Sequence, residues 1–341
     1  MVGACSLFRV QSITNTKDRE KGLQMQNIKT DHRINEIDSI KGVFILLMVC
    51  FHLVYIEQMY PYCKRVVYSF HMPAFLFISG YLMNVSKSRC AFFRTILSYA
   101  ILYFVLESGY IFMAAILPIN EHIECLSVRR FASTLFLHPI GPYWYLQSLV
   151  LFGLIHYCTS GFKRLSPVSR LILCGFIVYI VSRRFTSCSS YMAMFFFAGT
   201  LLRDNHIPFN MFFRATPFSI AAIFLLANSS LNLRYGTVEE IGIVYLSISA
   251  TLFLMKLVPR ILLRSILFIG RNTLPVFMFS PLFTYCCKYL VPWLRFDHTG
   301  LLFILISLTV CVLGSLTIAW CIDALGLSRV LLGHSILYKS R

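Results

Sequence analysis

Apolar runs of about 20 residues recur along the whole chain, each long enough to cross a hydrocarbon core about 30 Å thick. They fall at about 38–58, 66–85, 91–117, 142–159, 168–183, 190–202, 213–230, 238–257, 264–287 and 300–323, divided by charged residues or by Pro and Gly. Lipid offers the backbone no hydrogen bonds, so a chain patterned this way must satisfy its peptide groups inside its own helices. The expected fold is all-α: a polytopic integral membrane protein of about ten transmembrane helices. The sixth run, resting on YMAMFFFAGTLL, is short, and a re-entrant reading of it stays open.

Charge tests that layout independently, because Lys and Arg concentrate in cytoplasmic loops. With the N-terminus inside, the cytoplasmic segments hold 21 of the 31 basic residues and the outer loops hold nine, while Arg271 lies within the ninth run. The excess recurs loop by loop, which places both the N- and C-termini in the cytoplasm. The long outer connection, 118–141, ends in the semi-apolar FASTLFLHPIGPYW and reads as a segment lying at the membrane interface or dipping into it. Residues 1–33 are polar and lack the apolar centre of a signal peptide, so they are expected to form a disordered tail. The membrane domain is expected over 34–325, with a basic cytoplasmic tail at 326–341.

Composition excludes other classes. Hydrophobic residues make up 57% and charged residues 13%, against about 25% charged in an ordinary soluble domain. The net charge of +17 is spread through short loops and forms no nucleic-acid patch. The twelve cysteines include no CxxC pair, and the nine histidines show no ligand spacing within one helix, so no metal site is expected. No internal repeat of the kind that builds many transporters is visible.

Ionisable groups inside spans are expensive, so each calls for a partner or a function. Lys41 and His52 are eleven residues apart, which returns to within about 20° of the same helix face at a rise of about 16 Å. Asp38 lies about one turn before the lysine. The second helix runs back and brings His71 near the depth of His52. Glu107 is the carboxylate well inside the third span, while Arg271 and Asn272 enter at one end of the ninth. A neutral imidazole beside a hydroxyl suits general base catalysis, and a lysine at the membrane mouth suits phosphates. The bland alternatives are a histidine bonded to a neighbouring backbone, a lysine snorkelling to headgroups, and an acidic first turn favoured by the helix dipole.

The stretch RINEIDSIKGVFILLMVCFH resembles the opening of the acyltransferase-3 family of bacterial membrane O-acyltransferases, in which a basic residue, ten positions and a histidine share the first helix. Lys41 and His52 match it. SFHMPAFLFISGYL is similar to the family's second block at His71, Met72, Pro73, Ser79, Gly80 and Tyr81. GPYWYLQSLV resembles its aromatic element at Trp144, FFFAGTLL its Phe-x-x-Gly segment at Gly199, and FIGRNTLPVFMFSPLF its late helix. This chain departs from the pattern at Ser280 and Pro281, where many relatives place a histidine, and at Ser98 in a Pro-Tyr pair.

The resemblance implies a bacterial inner-membrane enzyme moving an acyl group, usually acetyl, from cytoplasmic acyl-CoA to a hydroxyl of a cell-surface carbohydrate. His52 and Lys41 are the implied catalytic residues. Asp38, His71, Glu107, Trp144, Arg271 and Asn272 are expected to line the site. Acetyl-CoA is the implied donor, with no bound cofactor. A second reading makes His52, His71 and Glu107 the proton or substrate path of a secondary transporter or flippase.

Overall fold

The computed structural model describes residues 35–85, 87–117, 119, 121–162, 164–185, 189–328 and 337–339. The expected tail at 1–33 and most of the one at 326–341 lie outside them. Among the described residues the structure is helical, without strands. The helices are α1 (Asn35–Phe51), α2 (Val54–Met59), α3 (Pro61–Leu82), α4 (Arg89–Ile116), α5 (Val128–Phe136), α6 (Trp144–Ser160), α7 (Pro167–Val181), α8 (Ser190–Asp204), α9 (Phe209–Phe212), α10 (Phe218–Ala227), α11 (Val238–Leu257), α12 (Arg260–Arg271), α13 (Thr273–Cys287), α14 (Val291–Leu294) and α15 (Leu301–Ala324). Each of the ten apolar runs falls on helix. Among the described residues four stretches are long and apolar enough to cross a membrane: Arg89–Ile116, Val238–Leu257, Thr273–Leu294 and Leu301–Ala324.

Two runs expected to be continuous are broken. The first stops at Phe51; the His52 N–H still bonds the Met48 and Val49 carbonyls, and α2 then restarts with Ile56 and Glu57 donating to the Leu53 carbonyl. The ninth divides at Asn272, whose φ of −107° and ψ of 27° leave the helical region. It becomes an amphipathic α12, with Arg260 and Arg264 on its polar face, and an apolar α13. Both breaks fall beside candidate site residues, because a helix end frees side chains and peptide groups to point elsewhere. The outer segment forms the amphipathic α5, whose N-cap Ser127 hydroxyl accepts from the Arg130 N–H at 3.2 Å.

Two glycine pairs set the helix spacing that shapes the site. A Cβ on Gly80 of α3 would collide with the Phe196 carbonyl of α8, and one on Gly199 of α8 would collide with the Phe77 carbonyl of α3. The two backbones therefore touch, as small residues allow where no hydrophobic effect drives helices together. Gly42 of α1 meets the Ile266 carbonyl in the same way, and Gly270 meets the carbonyl of Asp38. This second contact locks α12 onto the start of α1. Elsewhere α13 packs on α15, α4 on α6 and α10 on α11.

Candidate active site

Two chambers open between these helices and meet at one wall. The larger, about 480 Å³, is lined by His52, Tyr68, His71 and Trp144 with further residues from α2, α4 and α13. The smaller, about 280 Å³, is lined by Lys41, Arg271 and Lys339 among apolar and aromatic neighbours such as Tyr99 and Tyr145. Met48, Met72 and Phe277 line both, so they form the shared wall. Phe277 is held between Tyr143 and Tyr145, at ring centroid separations of 5.8 and 5.6 Å. Lys41, Ile45, Met48 and His52 lie along the side of α1 that faces this path, the stripe generated by eleven-residue spacing.

In the larger chamber Tyr68 makes ring contacts with both histidines. Its ring centroid is 5.8 Å from that of His52 and 5.0 Å from that of His71. The Tyr68 hydroxyl lies 2.8 Å from His52 Nδ1 and 3.2 Å from the Phe51 carbonyl. A carbonyl can only accept. When the hydroxyl proton points at Phe51, His52 Nδ1–H donates to Tyr68 and the Nε2 lone pair is left for chemistry. His71 is fixed more simply: its Nδ1–H donates to the Val67 carbonyl at 2.8 Å, so its neutral form also carries the lone pair on Nε2. Lys64 pairs with Glu57 in the same lining, and its ammonium lies 5.0 Å from the Tyr68 ring centroid.

The approach to Trp144 is built by residues behind it. Glu107, fully buried, accepts the Ile140 N–H at 2.8 Å. Gly141 takes φ of 64°, where a side chain is strained and would strike the Tyr110 ring. The Tyr143 hydroxyl then donates to the Met278 carbonyl at 2.6 Å, tying the segment to α13. Glu107 therefore shapes the wall that presents Trp144 and stands one layer behind the cavity.

In the smaller chamber Asp38 sits against two cations, 2.8 Å from Lys41 Nζ and 3.8 Å from Arg271 Nε. Their meeting follows from the Gly42 and Gly270 contacts between α1 and α12. Asn272, fully buried, does not face the chamber; it holds the backbone of Lys339. Ser79 and the Tyr145 hydroxyl share a hydrogen bond at 2.6 Å on the same lining.

The structure brings Lys41, Asp38 and Arg271 together at the smaller chamber and sets His52, His71 and Trp144 in the lining of the larger, while Glu107 and Asn272 stand outside both linings. Sequence reasoning missed Tyr68, which stands three residues before His71 and so shares its helix face, a signal available in the sequence. It also missed Met48, Met72, Phe277 and Lys339. Nothing in an apolar run marks which methionine meets another helix, and Lys339 reaches the chamber from 67 positions beyond Asn272.

The family model described as an acyltransferase domain matches residues 34–320. The nodulation protein NolL of Sinorhizobium fredii is 26% identical over 151 residues, covering 42% of this chain and 40% of that relative's length. No solved structure matches.

Proposed function

This chain belongs to the acyltransferase family matched over residues 34–320, and from that premise we propose that it transfers an acyl group, acetyl in the simplest case, from cytoplasmic acyl-CoA to a hydroxyl of a cell-surface glycan or its precursor. The site is read as a path across a bacterial inner membrane, in a ten-span layout with both ends in the cytoplasm. The observation that carries this reading is the pair of chambers meeting at Met48, Met72 and Phe277: Lys41, Arg271 and Lys339 line the smaller with no carboxylate among the described residues of its lining, and His52 and His71 line the larger, where Lys64 is paired with Glu57.

The division of labour follows from the chemistry of the two linings. Lys41 and Arg271, at the cytoplasmic end of the path, hold the donor's phosphates, and Asp38 keeps the two cations apart and oriented. The narrow thiol arm reaches past Met48 and Met72, whose unbranched side chains yield without loss of packing. In the larger chamber the acceptor sugar lies against Trp144 and neighbouring tyrosines, whose faces suit the C–H side of a sugar ring. The acceptor hydroxyl attacks the thioester carbonyl as His52 Nε2 removes its proton. The C–S bond then breaks, and the imidazolium returns the proton to the departing thiolate. Tyr68, anchored on Phe51, holds His52 in the tautomer this requires, the part a third group plays in nucleophile–base–orienter sites.

The test is transfer of radiolabelled acetyl from acetyl-CoA to surface glycan in membranes carrying wild type or His52→Ala at matched expression. A general base contributes about 10²–10⁴-fold, so labelling by His52→Ala should fall by at least the lower figure. Undiminished labelling would remove His52 from the reaction, and no labelling by wild type would remove the donor or the acceptor.

A further inference from the structure

The C-terminal segment reaches the smaller chamber along a route fixed by two side chains. Asp323, at the end of α15, accepts the N–H groups of Leu337 at 3.0 Å and of Tyr338 at 2.7 Å on its two carboxylate oxygens. Asn272 accepts the N–H of Lys339 at 2.8 Å and donates Nδ2 to the Lys339 carbonyl at 3.1 Å, pairing with that residue as a strand neighbour would. Leu337 is buried, and the Tyr338 ring lies 6.1 Å from that of Phe268 on α12. Fixing each backbone residue costs conformational entropy, yet three successive residues are held here. The last of them, Lys339, is itself exposed and stands in the chamber lining beside Lys41 and Arg271.

These three are the charged side chains among the described residues lining the chamber, and Asp38 is the carboxylate set against Lys41 and Arg271. Such a balance selects a ligand bearing several negative charges. The nucleotide end of coenzyme A, with a pyrophosphate and a further phosphate, has that chemistry. Two cations and one carboxylate from α1 and α12 match it poorly; a third cation from a separate segment improves the match.

We infer that Lys339 is a donor-binding residue completing a phosphate cradle with Lys41 and Arg271, and that Asp323 and Asn272 are positioning residues acting through it. The inference rests on the acyl-CoA reading above. It turns the C-terminal segment from a solvated tail into part of the site.

The test uses the purified full-length chain in lipid nanodiscs, with coenzyme A binding measured by calorimetry over a range of salt concentrations. Lys339→Met should weaken binding about tenfold, as loss of one charge-assisted contact implies, and flatten its salt dependence. Lys339→Arg should keep both. Asp323→Asn should weaken binding in the wild-type background and add nothing to Lys339→Met, a non-additivity that general loss of structure would not give. If Lys339→Met binds like wild type at every salt concentration while Lys41→Met is weakened, the role of Lys339 is overturned and the donor reading stands. If wild type binds no coenzyme A, the donor reading falls and this inference falls with it.

Discussion

Tyr68 is where a single side chain decides most about the proposed chemistry. Its hydroxyl is within reach of both His52 Nδ1 and the Phe51 carbonyl, and only the second arrangement leaves His52 with a basic Nε2. Tyr68→Phe keeps the ring contacts with the two histidines and removes the group that selects the tautomer. Turnover should fall about tenfold, the size expected for one lost orienting hydrogen bond, with little change in KM for acetyl-CoA because the donor phosphates bind elsewhere. Steady-state acetyl transfer at varied donor concentration checks this; an unchanged kcat would mean that His52 is oriented without Tyr68. Glu107 shows the opposite case. A carboxylate in an apolar span is unusual, and the bond it accepts from the Ile140 N–H makes it part of the scaffold under Trp144.

At the scale of elements, the interruptions in helices matter as much as the helices. The break after Phe51 comes just beyond the last helical bond, His52 N–H to Met48, so His52 stays on the stripe of Lys41, and the break at Asn272 frees an amide side chain to hold another segment. The α3–α8 contact holds this arrangement together through Gly80 and Gly199, each seated on a carbonyl of the opposite helix. Gly199→Val would force those backbones apart. It should lower stability by about 1–3 kcal/mol or more, the usual range for overpacking. A large drop in the thermal unfolding temperature of the detergent-solubilised variant is expected. Wild-type stability would show that the two helices can separate there without loss.

For the whole molecule, the proposed path has sense only if the two chambers face opposite sides of the membrane. The chain's own cysteines report on this. In the proposed ten-span layout Cys63, near the start of α3, and Cys125 fall on the outer side and Cys90 and Cys158, near the ends of α4 and α6, on the cytoplasmic side; all four are exposed. In variants retaining one of them at a time, an impermeant maleimide applied to intact spheroplasts should label Cys63 and Cys125 and spare Cys90 and Cys158 until the membrane is permeabilised. The reverse pattern would invert the path and move the donor cations to the outer side. Labelling of all four from one side would end the ten-span layout.

The sequence by itself determined the helical class, the positions of the ten apolar runs, and the stripe joining Lys41 to His52, because hydropathy and the 3.6-residue period act locally along the chain. It also carried the family, through blocks around His52 and His71 that stay recognisable without any knowledge of packing. Only the tertiary structure decided that Tyr68 contacts both histidines, that Met48, Met72 and Phe277 form one wall, and that Lys339 joins Lys41 and Arg271. Each of these depends on which residues of different helices come within a few ångströms. In lipid that is settled by close backbone contacts such as Gly42 on Ile266, and by buried polar groups such as Asn272 finding partners far along the chain, neither of which leaves a periodic mark in the residues between.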